Sequence, residues 1–134
     1  MPSKSARGGA IFMDEFYRNR CHVTDFDFAL TVLTTVVSRP AENRAIVDAG
    51  RKTMNMEVAM PRVLARDDVE VTSLSAEHGS LRLGPSSQSL RIGDHLEFVP
   101  GYGDLTTVLH NQFYGIRNGR LAEIWPLEAR GRLD

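Results

Sequence analysis

Seven short segments alternate apolar and polar residues, or carry β-branched runs, and turn residues cut them apart at close spacing. None is long enough to become a helix-built domain. Phe26, Phe28, Leu30, Val32, Thr34 and Val36 share one side of a period-two pattern. With the β-branched run from Thr31 to Val37, this predicts a long half-buried strand that stops at Arg39-Pro40. Arg44 to Val47 is a short apolar strand closed by Asp48-Ala49-Gly50. Val69 to Leu74 and Gly79 to Leu83 alternate again, and Gly84-Pro85-Ser86-Ser87 is turn chemistry. Leu90 to Asp94 forms a tight turn into His95 to Val99. Leu109 to Arg117 and Arg120 to Trp125 flank Asn118-Gly119, the strongest short-range hairpin signal. Only Asp14 to Arg20 has the makings of a helix, of one or two turns. The expected fold class is therefore all-β, a mainly antiparallel barrel or sandwich with one or two short helices.

Composition narrows the function. The chain of 134 residues suits one domain with its own core. A net charge of −1 gives no reason to expect nucleic acid or an anionic membrane as partner. No apolar run approaches the ~20 residues of a membrane span. Met1 to Gly9 is small and polar; it reads as a flexible lead-in, not a secretory signal. The single cysteine, Cys21, excludes an internal disulfide and fits a reducing cytoplasm, the expected location. Lys4 and Lys52 are the only lysines, so amine nucleophiles are scarce.

Chemistry concentrates in Phe98-Val99-Pro100-Gly101-Tyr102-Gly103-Asp104-Leu105-Thr106-Thr107-Val108-Leu109-His110. A strand breaks at Pro-Gly, presents a phenol and a carboxylate two residues apart, and is expected to resume as an apolar strand ending at His110. Asp104 could bind a divalent cation through oxygen; a hairpin corner with solvated side chains is the plainer account. Glu77-His78 opens the Gly79 strand and could transfer protons, although neighbouring strand residues face opposite sides. His110 reads more simply as a hydrogen-bonded structural residue, and His22 and His95 show no partner spacing. No His-x-x-x-His, Cys-x-x-Cys or phosphate-cradling loop is present.

Six segments in order carry a resemblance. They are Ile11-Phe12-Met13-Asp14, Val36-Val37-Ser38-Arg39-Pro40, Val47-Asp48-Ala49-Gly50, Ser75-Ala76-Glu77-His78-Gly79, Val99-Pro100-Gly101-Tyr102-Gly103-Asp104 and Tyr114-Gly115-Ile116-Arg117-Asn118-Gly119. Together they resemble the C-terminal domain of the D-threonine aldolase and D-serine dehydratase-like enzymes. The resemblance makes residues 10–134 a D-serine dehydratase-like β-domain. Such enzymes are fold-type III pyridoxal-phosphate (PLP) lyases acting on D-β-hydroxy amino acids. An alanine-racemase-like barrel supplies the Schiff-base lysine, and the β-domain supplies a divalent metal site that polarises the substrate hydroxyl.

Carried over, the family's metal-binding histidine falls at Tyr102 and its acidic partner at Asp104. The acid is kept and the imidazole is lost. A manganese or zinc site is therefore weakened, because a phenol near pKa 10 is a poor ligand. The expected roles are Tyr102, His78 and Glu77 as catalytic groups and Asp104 as metal ligand. Neither Lys4 nor Lys52 corresponds to the cofactor lysine, so PLP is expected only through a barrel domain these residues do not contain. The leading expectation is a lyase domain inactive without that barrel, which a separate PLP-barrel subunit would supply, and a homo-oligomer. The alternatives are a non-catalytic binding or assembly module derived from that domain, and a small metal enzyme using Asp104 with Glu77 or His78.

Overall fold

A computed structural model describes residues 11–132; the expected lead-in 1–9 lies outside them. Eight strands and two short helices follow in order: α1 (Glu15–Asn19), β1 (Val32–Ala41), β2 (Arg44–Val47), β3 (Arg62–Val63), β4 (Val69–Leu74), β5 (Gly79–Leu83), β6 (His95–Val99), α2 (Gly103–Thr107), β7 (Gln112–Arg117) and β8 (Arg120–Pro126). Six strands form one sheet in the order β3-β6-β1-β2-β5-β4, and β7 and β8 form a separate ribbon. Every pairing is antiparallel. The all-β expectation holds, and the architecture is a barrel-like sheet that nearly closes, because its two edge strands β3 and β4 come to lie side by side.

The curl comes from β1. Its first half pairs with β6, Val32 opposite Phe98 and Thr34 opposite Leu96. Its second half pairs with β2 through register shifts after Val36 and after Ser38. Such bulges bend a strand and increase its twist. The alternation seen in the sequence does the rest: Val32, Thr34 and Val36 point inward while Leu33 and Val37 face out. Val36, Ala45, Val47, Met54, Val63 and Phe98 are completely buried and form the centre of the core.

Four local expectations need correction. The long strand starts at Val32, not Phe26. Phe26 is exposed, and Phe28 lies under the guanidinium groups of Arg18 and Arg62, at 4.7 and 5.3 Å. Arg39-Pro40 does not stop β1. Pro40 falls inside the irregular stretch between Ser38 and Ala41, where its missing N–H interrupts no regular ladder. The Arg39 side chain donates to the carbonyls of Gln88, Leu90, Glu42 and Arg44, tying β1 to the loop ahead of β6. The segment after Pro100-Gly101 forms α2 instead of an apolar strand, so β7 begins at Gln112 and His110 sits in the connecting turn. β3, two residues long, left no signal to read. The hairpin at Asn118-Gly119 is as expected: φ is 53° and 71°, the double positive φ of a type I′ turn.

Candidate functional site

α1 and the Pro100–Thr107 segment are built onto each other. Asp14 caps α1, its Oδ1 accepting from the Tyr17 N–H at 2.8 Å. Its Oδ2 accepts from the Gly103 N–H at 2.6 Å, across 89 residues of sequence. The Glu15 and Phe16 N–H groups donate to the carbonyls of Pro100 and Gly101 at 3.1 and 3.0 Å. Helix-start donors, which have no partner within a helix, thus end on the turn that carries the chemistry. Gly101 is required by space: a Cβ there would lie 1.8 Å from the Ala59 carbonyl oxygen. Glu15 meets Arg62 at 2.8 Å, fastening α1 to β3.

This frame explains why α2 forms despite its β-branched residues. Gly103 is held by Asp14, the Thr106 hydroxyl donates to the Tyr102 carbonyl at 3.0 Å, and that hydroxyl also accepts from the Asn55 N–H at 3.4 Å. Tertiary bonds outweigh local propensity.

Tyr102 and Asp104 are brought together. The Tyr102 hydroxyl donates to Asp104 Oδ2 at 3.0 Å, and its ring packs edge-on against Phe16, centroids 5.1 Å apart. The bond to Asp104 and partial burial push the phenol up to about 12. Tyr102 is therefore a neutral hydroxyl near pH 7, not a phenolate. Burial also raises the Asp14 carboxyl above its usual range, and the nearby Asp104 charge adds to that. A cleft of about 160 Å³ opens beside the pair, walled by Phe12, Phe113 and Leu127, with Asp14 and Asp104 on its polar side. A larger groove of about 590 Å³ runs between α1, residues 58–62 and β4, and none of the expected site residues lines it.

Glu77 and His78 are not part of that pair. Glu77 is exposed and bound to Lys52 at 2.8 Å, which lowers its carboxyl pKa. His78 is exposed and anchored through its backbone, its N–H donating to the Ser75 hydroxyl at 3.1 Å. His110 is partly buried. Its Nε2 lies 2.7 Å from the Thr53 carbonyl, which can only accept, so Nε2 carries a proton and donates. Asp14 and Thr106 escaped the sequence reading as site residues. The only local trace of Asp14 is a helix-cap signal ahead of Glu15.

Asp104 offers one carboxylate, already accepting from a protonated phenol, and no group of three His, Cys, Asp or Glu converges among the described residues. These donors do not fit a divalent metal on this chain alone. Lys52 is exposed and paired with a carboxylate, which is not a Schiff-base environment either.

An antiparallel barrel-like β-domain, with a Tyr–Asp pair on a turn braced by a preceding helix, defines the class. The chain belongs to the family described as putative serine dehydratase domain, whose model matches residues 29–116. It is 35% identical over 132 residues to 3-hydroxy-D-aspartate aldolase of Paracoccus denitrificans, covering 93% of this chain and 34% of that protein. It is 37% identical over 106 residues to D-threonine aldolase of Arthrobacter sp, covering 79% and 28%. The crystal structure of D-threonine aldolase from Filomicrobium marinum superposes with a TM-score of 0.85 at 34% identity, over 92% of this chain and 35% of that one. The chain thus spans about a third of the length of these relatives. An uncharacterized protein of Mycobacterium tuberculosis is 28% identical over 115 residues, covering 79% of this chain and 86% of that shorter protein.

Proposed function

We propose that this chain is the substrate-site domain of a PLP-dependent lyase acting on D-β-hydroxy amino acids, and that it is inactive without a PLP barrel domain. The observation that carries this is the Tyr102–Asp104 pair, held on the Pro100-Gly101 turn of a domain related to aldolases of D-threonine and 3-hydroxy-D-aspartate. Tyr102 offers a neutral hydroxyl donor and Asp104 a carboxylate acceptor. Together they suit a substrate that bears its own hydroxyl, which can accept from one and donate to the other. Asp14 and the α1 amides keep the pair in register, and Phe12 and Phe113 keep one side of it apolar. Glu77 and His78 remain proposed as further catalytic groups, exposed and outside the Tyr102–Asp104 pair, with Glu77 bound to Lys52. No step is assigned to a metal, because the donors present do not fit one. A cytoplasmic setting is supported by the exposed, unpaired Cys21. Among the described residues no helix is long and apolar enough to cross a membrane.

The test is complementation. The purified chain is mixed with the PLP-binding barrel portion of a D-threonine aldolase, and D-threonine cleavage is followed. Activity above that of the barrel alone, lost with Asp104→Ala, is expected. No gain at any ratio would sink the proposal.

A second reading is favoured by one observation: the Tyr102 hydroxyl occupies an oxygen of the only carboxylate retained from the family's metal pattern. In that reading the domain is a binding or assembly module that has left catalysis. Full complementation by the Tyr102→His chain but none by the wild type would select it.

A further inference from the structure

The cleft beside the Tyr102–Asp104 pair is apolar on one side and anionic on the other. Ile11, Phe12, Phe113 and Leu127 wall it, and Asp14 and Asp104 are its charged groups. No lysine or arginine among the described residues lines it. The walls are tied down. The Phe12 carbonyl accepts from the Ala29 N–H at 2.9 Å, and the Leu127 N–H donates to the Asn111 carbonyl at 2.8 Å. The Phe12 and Phe113 rings pack edge-on at 5.3 Å between centroids. Met13, between Phe12 and Asp14, is buried at a φ of 54°, a conformation that a non-glycine residue keeps only where its surroundings impose it.

This lining discriminates by charge. Two of its donors are spent inside the chain, the Gly103 N–H on Asp14 Oδ2 and the Thr107 hydroxyl on the Asp104 carbonyl at 3.3 Å. A carboxylate entering the cleft would leave water for two groups of its own sign and no cation to meet it. Both the lost hydration and the like-charge contact oppose entry. An apolar group meets the reverse case. The cleft offers about 160 Å³, and an apolar cavity of about 150 Å³ takes a benzene ring. Of the substrates of the two related aldolases, 3-hydroxy-D-aspartate carries a carboxylate on the carbon that bears its hydroxyl, and D-threonine carries a methyl there.

Resting on the reading in which Tyr102 and Asp104 hold the substrate hydroxyl, we infer that this cleft receives the group attached beside that hydroxyl. It selects a neutral, apolar group, up to the size of a phenyl ring, and Asp14 and Asp104 exclude an acidic one.

Two experiments test this. In the first, the purified chain is titrated with benzyl alcohol, a ring beside a hydroxyl, and with glycolate, a carboxylate in the ring's place. Benzyl alcohol is expected to shift the methyl resonances of Thr107 and Leu127 saturably, while those of Val36 and Val47 stay fixed. Glycolate should bind at least about ten-fold more weakly, and Leu127→Arg, which puts a cation in the wall, should close that gap. No saturable shift with benzyl alcohol, equal binding of glycolate, or a gap unchanged in folded Leu127→Arg would overturn the inference. Should the variant not fold, the wild-type titrations decide.

In the second, the chain is mixed with the PLP-binding barrel portion of a D-threonine aldolase and given D-phenylserine or 3-hydroxy-D-aspartate. A kcat/KM at least about ten-fold higher for D-phenylserine is expected. The Leu127→Arg chain on the same barrel should lower that preference, which assigns it to this chain and not to the barrel. Equal cleavage of both substrates would overturn the inference and leave the proposed function standing. Cleavage of neither would sink the proposed function, and the titrations would still decide what the cleft accepts.

Discussion

The six-stranded sheet and the β7–β8 ribbon are made from the same material and end in opposite states. Both are antiparallel, both alternate in sequence, and both turn through tight connections. In the sheet, bulges in β1 let six strands curl until Val36, Val47 and Phe98 lose all contact with water. In the ribbon two strands cannot curl onto themselves, and every residue of β8 stays exposed. Alternation shows that a strand has two unlike faces. It does not show whether the apolar one is covered from within the chain or from outside.

That contrast makes predictions of falling size. Phe98→Ala, at the centre of the closed sheet, should cost about 3–5 kcal/mol and is measured by denaturant unfolding. A loss below ~1 kcal/mol would mean that the barrel core is not where the stability lies. Asp14→Ala removes a helix cap and strands the Gly103 N–H at once. It should cost about 2 kcal/mol, and Asp14→Ser should recover only the capping share.

Tyr102 gives a test without a mutation. Its phenol is raised from 10 to about 12, so the stability linked to its neutral form is complete below pH 10 and fades as pH rises through about 12. Burial also raises the Tyr17 phenol, so absorbance titration should end in a last step near 12 that belongs to Tyr102. Asp104→Asn should bring that step back toward 10, and Tyr102→Phe should abolish it. The smallest effect belongs to the ribbon. Ile124→Thr should leave unfolding free energy of the monomer within about 0.5 kcal/mol. A larger loss would show that the ribbon face is part of the monomer's own core.

The sequence was most readable where the structure depends on neighbours in the chain. Asn118-Gly119 demanded a hairpin, and Val32, Thr34 and Val36 announced their inward face. The period-two reading overran at Phe26 and Phe28, because alternation there answers to α1 and two arginines and not to a ladder. It failed at α2, where Thr106, Thr107 and Val108 have strand propensity and the deciding bond comes from Asp14. The candidate site divides the same way. Tyr102 and Asp104 could be paired on sight, being two residues apart. The carboxylate that sets their turn, and the pairing of Glu77 with Lys52 outside that turn, depend on contacts between distant segments.

The bond from Asp14 to Gly103 also sets an order of events. Asp14 leaves the ribosome first, and its partner follows 89 residues later. At typical synthesis rates that is about 5–20 seconds. Throughout that interval α1 has neither the carbonyls of Pro100 and Gly101 to bond nor a turn to brace, and five residues make too short a helix to persist alone. The first described segment of the chain is thus among the last to take its place, and the Tyr–Asp turn is completed only when two segments 89 residues apart meet.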